Sequence, residues 1–240
     1  MKITISAIML LFTAVAVQAK TLIVYYSYTN NIERIITELR TQIEADVIEI
    51  EPAEKNLDYA ADNYAIGSAQ ISAIRNNPDD PDSYPAIDPV NIDMTQYSTI
   101  IIGAPLWWSN MAAPLQTYLF RYGKDMADKN IGLIVSSASS GISGVEGDAK
   151  RLIPEGKFLT PSLWIRSSQT SNAKSMLENW LRDIDYSSLT TGVESTGIHN
   201  NLRYTVYSVS GHRLLSNAES LAELPDGIYI INGRKALIFR

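Results

Sequence analysis

Cysteine is absent from the 240 residues, and only two histidines occur, His199 and His212. Without cysteine there is no disulfide, no thiolate zinc site, no cysteine nucleophile and no cysteine-ligated iron–sulfur cluster. Two histidines leave little for imidazole-based catalysis. Both fall outside the α/β body described below, so a serine nucleophile in that body has no histidine base beside it. Surplus positive charge is also missing. Twenty Lys and Arg against 26 Asp and Glu give a net charge of −6, which argues against non-specific nucleic-acid binding. What is present is a globular composition, 45% apolar and 19% charged. That is enough apolar mass for a real core, and it excludes a disordered chain and a multi-span membrane protein.

The first 19 residues have the form of an address. Lys2 precedes an uncharged, largely apolar run from Ile3 to Val17, followed by Val17-Gln18-Ala19. A positive start, a short apolar stretch and small residues at −3 and −1 predict a secretory signal peptide cut after Ala19. The run is short for a spanning helix, which needs about 20 residues. The expectation is an exported protein of the periplasm or cell surface with no membrane span after cleavage.

From residue 20 the pattern alternates. Thr21–Tyr25, Asp46–Ile50, Ser98–Gly103, Ile131–Ser136 and Phe158–Ile165 read as strands, the last interrupted or placed at an edge by Pro161. Ile100-Ile101-Ile102 suits a strand buried on both faces, as in a parallel sheet. Between the strands, Ile32, Ile35, Ile36, Leu39 and Ile43 recur at helical spacing, as do Met111, Leu115, Tyr118, Leu119 and Tyr122. Residues 59–75 and 145–152 read as further helices, and Met176, Leu177, Trp180, Leu181 and Ile184 mark the last. Five such units predict a doubly wound five-stranded parallel α/β sheet over residues 20–185. The aspartate-rich stretch within 76–97 reads as a solvated surface loop, because it lacks the ligand spacing of a calcium loop.

In such sheets ligands bind beyond the carboxyl ends of the strands. Strand one ends in Tyr25-Tyr26-Ser27-Tyr28-Thr29-Asn30-Asn31-Ile32, where a helix begins. Ser27, Thr29 and Asn31 surround helix amides that attract an anion, or else Thr29 or Asn30 simply caps the helix. Strand three ends in Gly103-Ala104-Pro105-Leu106-Trp107-Trp108-Ser109-Asn110. Its adjacent indoles offer a stacking surface for a planar ligand, one facing the crevice and the other the core. Strand four ends in Ser136-Ser137-Ala138-Ser139-Ser140-Gly141, small residues that let main chain approach a ligand.

These three loops, in this order, resemble the flavodoxin family, in particular a bacterial branch with a Pro-x-Trp-Trp platform. The family's first loop reads Ser-x-Thr-Gly-Asn-Thr. Ser27, Thr29 and Asn31 match it, Asn30 stands where the family has Gly, and Ile32 stands where it has Thr. The resemblance implies a flavodoxin-like fold, bound FMN and electron transfer to a donor and acceptor that it does not name. It implies cofactor contacts from Ser27, Tyr28, Thr29, Asn30, Asn31 and Ile32, from Pro105, Leu106, Trp107, Trp108, Ser109 and Asn110, and from Ser137, Ser139, Ser140 and Gly141. Ile32 removes one hydroxyl from the phosphate loop. Two other readings share the fold: a flavin-dependent NAD(P)H:quinone-type reductase, and a binding protein without cofactor. No dinucleotide fingerprint is present.

After Ile184 the composition changes. Residues 186–200 read as a Ser/Thr/Gly-rich linker, and residues 201–240 as a small all-β C-terminal module. Asn232-Gly233 between two apolar runs marks a hairpin. Gly227-Ile228-Tyr229-Ile230-Ile231 and a basic, apolar finish resemble the short C-terminal modules of exported Bacteroidetes proteins. That likeness implies a contact with type IX secretion machinery.

Overall fold

The computed structural model describes residues 20–191, 204–209, 211–218, 221, 224–231 and 234–238. The segment read as a signal peptide, His199 and the Asn232-Gly233 turn lie outside the described residues.

Strands β1 (Lys20–Tyr25), β2 (Asp46–Glu49), β3 (Tyr97–Trp107) and β5 (Asn130–Ser137) are parallel, in the order β2-β1-β3-β5. The fifth place is filled by two short strands, β6 (Lys157–Phe158) and β7 (Leu163–Arg166), both parallel to β5. The segment 158–165 is thus broken around Pro161, a residue that cannot donate to a ladder. One further strand, β4 (Asn110–Met111), runs antiparallel to the end of β3. The sequence reading had placed Met111 at the start of a helix.

Alternation along the strands divides the core. Leu22, Val24, Ile100, Ile102 and Ala104 face one layer, packed by α2 (Ala61–Asn76), α3 (Ala113–Tyr122) and α4 (Ser143–Leu152). Ile23, Tyr25, Ile101 and Ile134 face the other, packed by α1 (Asn31–Arg40) and α5 (Ala173–Asp183). Helices therefore cover both faces, as a continuous apolar strand requires. Helix α1 buries Ile32, Ile35, Ile36 and Leu39, the 3.6-residue stripe visible in the sequence.

Two segments depart from the sequence reading. Residues 76–97 are not simply solvated: Tyr84, Ile87 and Met94 are buried, and Tyr84 stacks on Phe120 with ring centroids 4.2 Å apart. Asp80 and Asp93 each accept a main-chain N–H two residues on, capping short 3₁₀ turns. The proposed linker opens instead with helix α6 (Tyr186–Thr191). Tyr186 is buried among α1 and α5 side chains, and its hydroxyl shares a 2.7 Å hydrogen bond with buried Thr21 of β1. Polar spelling concealed an anchor.

In the C-terminal module, β8 (Tyr204–Ser208), β9 (Arg213–Ala218), β10 (Gly227–Ile231) and β11 (Arg234–Ile238) form an antiparallel sheet in the order β11-β10-β8-β9. Its own small core comprises Val206, Leu221, Leu224, Tyr229, Ile231 and Ala236. Among the described residues no helix is long and apolar enough to cross a membrane.

If α6 belongs to the α/β body, Tyr186→Phe should lower stability by about 1 kcal/mol, the worth of one buried hydrogen bond. Urea unfolding followed by circular dichroism measures it, and an unchanged midpoint would return α6 to the linker.

Candidate functional site

A cleft of about 720 Å³ opens at the carboxyl edge of the sheet, within the roughly 300–1,000 Å³ range of small-molecule sites. Three connections bring its walls together. The β1–α1 loop supplies Ser27, Tyr28, Thr29, Asn31 and Ile32. The end of β3 supplies Pro105, Leu106, Trp107 and Trp108. The end of β5 supplies Ser136, Ser137 and Ala138.

At the first wall, Asn30 precedes α1 with a φ of 58° and makes no side-chain cap. The left-handed value is one that Asn tolerates better than most residues. Ser27 Oγ accepts the third helix amide, from Glu33, at 3.2 Å, and Thr29 Oγ1 accepts from Asn31 Nδ2 at 3.1 Å. Capping therefore comes from Ser27, not from Thr29 or Asn30. The first two amides of the helix, on Asn31 and Ile32, have no protein acceptor, so this end of α1 presents donors and the positive end of a helix dipole. The Ile32 side chain is 1% exposed and packs with Ile35 and Ile36. A hydroxyl there would sit in the apolar layer, so what Ile32 can offer an anion is its main-chain N–H.

The second wall is aromatic. Trp107 is half-buried in a cluster of rings: Tyr59 lies 4.8 Å away, Tyr26 lies 5.7 Å away edge-on, and Tyr28 lies 6.5 Å away edge-on. Trp108 stands 6.4 Å from Trp107 at 80°, and is 43% exposed. Instead of one indole facing the core and one the crevice, both line the cleft, Trp107 also packing against the core and Trp108 more open. Trp108 and Ser109 connect β3 to β4 as a two-residue hairpin turn, with φ of 45° and 64°. A two-residue hairpin of this kind carries positive φ at both positions, a handedness that matches the strand twist, and Asn-Gly is its usual solution. A tryptophan there is strained, and strain of this kind collects at functional sites.

The third wall is small and polar. Ser137 Oγ donates to Ser140 O at 2.9 Å and accepts from Trp164 Nε1 at 2.9 Å. Ser136 Oγ is buried on the cleft wall and has no partner. A buried unpaired hydroxyl is uncommon and marks a place where a ligand group is accommodated.

Several expected site residues are not brought to the cleft. Asn30 faces a second, polar depression beside Arg34 and Lys174. The Ser109 carbonyl faces Gly144 of α4, and Asn110 Nδ2 donates to Asp148 at 3.0 Å. Ser139, Ser140 and Gly141 are exposed beyond the cleft rim. Conversely, Tyr59, Ala60, Tyr64, Gly67 and Ser167 line the cleft without having been singled out. The rule that ligands gather at strand carboxyl ends would have found Tyr59 and Ala60, which follow β2. Tyr64 had no sequence signal: it ends a left-handed run, Asp62-Asn63-Tyr64, with φ of 48°, 55° and 63°. Gly67 matters because a Cβ there would come within 3.1 Å of the Trp108 ring.

Loop one is tied to the loop after β2. Tyr28 Oη donates to Asp58 Oδ1 at 3.2 Å, and the Ala60 N–H donates to both. Burial raises the Tyr59 and Tyr26 hydroxyls above the usual phenol value, so both stay neutral. Among the described residues, no Asp, Glu, Lys, Arg or His lines the cleft; its polar side chains are hydroxyls and the amide of Asn31.

A doubly wound parallel sheet in the order β2-β1-β3-β5 with β6 and β7 in the fifth place, and a cleft at its carboxyl edge, has the architecture of the flavodoxin-like α/β class. The family model described as flavodoxin matches residues 20–184, and the chain belongs to that family. Among solved structures, a candidate flavoprotein from Bacteroides eggerthii shares 22% identity with a TM-score of 0.56, covering 70% of this chain and 98% of that one. A flavoprotein from Lactobacillus acidophilus, solved in complex with FMN, shares 23% identity with a TM-score of 0.51, covering 65% and 99%. At these identities the likeness concerns the fold. No curated protein matches the chain.

The hairpin strain has a direct consequence. Ser109→Gly should raise stability by roughly 0.5 kcal/mol, since relief of the left-handed penalty outweighs the added freedom of the unfolded chain. Thermal unfolding of the apo-protein measures it; a lower midpoint would mean that the turn is not strained.

Proposed function

We propose that this chain is an FMN-binding redox protein that transfers electrons after export from the cytoplasm. The observation that carries the reading is a cleft whose described lining has no Asp, Glu, Lys, Arg or His, set between free helix amides and an indole wall. Such a site cannot perform acid–base or nucleophilic chemistry unaided, but it can hold a cofactor that brings its own.

The residues present fit FMN. The α1 amides of Asn31 and Ile32, with the hydroxyls of Ser27 and Thr29, would hold the phosphate without a cationic side chain. Trp107 and Trp108 would flank the planar ring system, and the unpaired Ser136 hydroxyl supplies a neutral polar contact on the wall. Bound FMN supplies the hydride and electron chemistry. The side chains of this protein bind, orient and exclude water. The neutral tyrosines and the net charge of −6 place no positive group near the ring to favour added electrons.

Export rests on the apolar run from Ile3 to Val17 and the small residues before Lys20. The module over 201–240, by its resemblance to secretion tails, would meet the sorting machinery. Fusing residues 1–25 to a periplasm-dependent reporter tests the first step.

A small-molecule reductase is favoured by one observation. Tyr64, 52% exposed, lines the cleft together with exposed Trp108, so its mouth is apolar and aromatic. Turnover of NAD(P)H with a quinone supports the reductase; its absence despite bound flavin supports the carrier.

Two outcomes are expected. FMN titration should give flavin-coloured protein, with Trp108→Ala weakening the complex about three- to tenfold, the worth of one aromatic contact. A colourless protein with no calorimetric heat overturns the proposal. Because the described cleft lining holds no Asp, Glu, Lys, Arg or His and its phenols stay neutral in this range, FMN affinity should be flat between about pH 7 and 9, falling only as the phosphate takes up its second proton near about pH 6. A titration midpoint within the flat range would mean that a protein group outside the lining controls binding.

A further inference from the structure

The return strand β4 pairs with β3 along one edge, and along its other edge it is held by side chains of α3 and α4. The Met111 N–H donates to Asp148 Oδ2 at 2.9 Å, and its carbonyl accepts from Gln116 Nε2 at 2.7 Å. Asn110 Nδ2 donates to the same carboxylate oxygen at 3.0 Å. Arg151 closes the network: Nη2 donates to Gln116 Oε1 at 2.8 Å and approaches Asp148 Oδ1 at 3.4 Å, while Nη1 donates to Tyr84 Oη at 3.0 Å. Asp148 is 8% exposed and Gln116 is 1% exposed. A carboxylate buried this far persists only with its partners in place. Those partners are Arg151 and the two residues that follow the strained Trp108-Ser109 turn. The turn itself is pressed against α4, since a Cβ on Gly144 would lie 1.8 Å from the Ser109 carbonyl oxygen.

We propose that Asp148, with Gln116 and Arg151, is a positioning network that forces the β3–β4 turn into its left-handed shape and thereby fixes the Trp107–Trp108 wall for a planar ligand. The network does not touch the cleft. It acts through β4: strained backbone persists where surrounding contacts over-determine it, and here both main-chain groups of Met111 are pinned. The binding arm of the test rests on the FMN reading above; the spectroscopic arm does not.

The test uses the purified protein with two variants, Asp148→Asn and Gly144→Ala. In a helix alanine is intrinsically favoured over glycine, so an effect confined to α4 would make Gly144→Ala stabilising. An effect through the hairpin has the opposite sign, because the added methyl cannot coexist with the Ser109 carbonyl. Each variant should weaken FMN on the order of tenfold, measured well below its melting temperature. Each should also raise acrylamide quenching of tryptophan emission in the apo-protein, and that rise should vanish in a Trp108→Phe background. Adding Ser109→Gly to Asp148→Asn should restore both readouts, because a relaxed turn needs less restraint.

Unchanged affinity and unchanged quenching, even with a lower melting temperature, would reduce the network to ordinary core support and sink the proposal. If the parent protein itself fails to bind FMN, the cofactor reading falls, and the quenching arm still decides the positioning role. If Asp148→Asn does not fold, Gly144→Ala carries the decision.

Discussion

Strand β3 runs past the sheet that supports it, and the site follows from how the chain handles that overrun. Pairing with β1 ends at Gly103 and pairing with β5 ends at Pro105, yet β3 continues to Trp107. Exposed main-chain donors and acceptors beyond a sheet edge must find partners. The chain meets this need by reversing within two residues and pairing Trp107 with Asn110 and Leu106 with Met111. The reversal lifts two indoles out of the sheet plane at the edge where ligands of such folds gather. It also imposes positive φ on a tryptophan, a conformation that persists only because α4 braces the far side. The aromatic wall and its brace are therefore two consequences of one backbone requirement.

The parts legible in the sequence were those where one force dominates. Continuous β-branched runs such as Ile100-Ile101-Ile102 could lie only between two helical layers, and the α1 stripe could face only one of them. The break at Pro161 followed from a missing donor. The hidden parts were those where tertiary contacts overrode local signals. Trp108-Ser109 carries none of the Asn-Gly spelling that marks a two-residue hairpin, so Asn110 read as loop and Met111 as the start of a helix. Tyr186 reads as the first residue of a polar linker, whereas its burial and its hydroxyl partner on β1 tie it to the α/β body. In the site, Trp107, Trp108, Ser27, Thr29 and Asn31 were legible because strand ends and helix starts are local features. Tyr64 was not, because its place depends on three consecutive left-handed residues that no composition rule anticipates.

The electrostatics of the cleft are those of main chain rather than side chain. An anion near a protein of net charge −6 would ordinarily need lysine or arginine to offset the surrounding field. Here the compensation comes from two helix amides with no protein acceptor and from the dipole behind them, which act at contact range where solvent screening is least effective. Arg34 and Lys174 line the outer depression instead. The arrangement trades long-range attraction for short-range geometry. Binding then depends on the exact seating of the β1–α1 loop, and that loop is fastened to the β2–α2 connection through Tyr28, Asp58 and Ala60.

This fastening bears on how tightly a ligand can be held. Ordering a loop or a side chain on binding subtracts from affinity, at about 0.5–1.5 kcal/mol for each immobilised side chain. In this protein Trp107 is already wedged among Tyr26, Tyr28 and Tyr59, and the strand beyond it is pinned at both main-chain groups of Met111. Among the aromatic side chains of the cleft, only Trp108 and Tyr64 are exposed. The ordering cost is thus confined to the mouth, while the floor and the anion end are formed in advance. A planar ligand would meet a rigid inner ring and a movable outer one, so inner contacts govern affinity and outer ones govern access. Substitutions inside the cluster should then act on the dissociation rate, and those at the two exposed rings on the exchange of whatever molecule approaches from solvent.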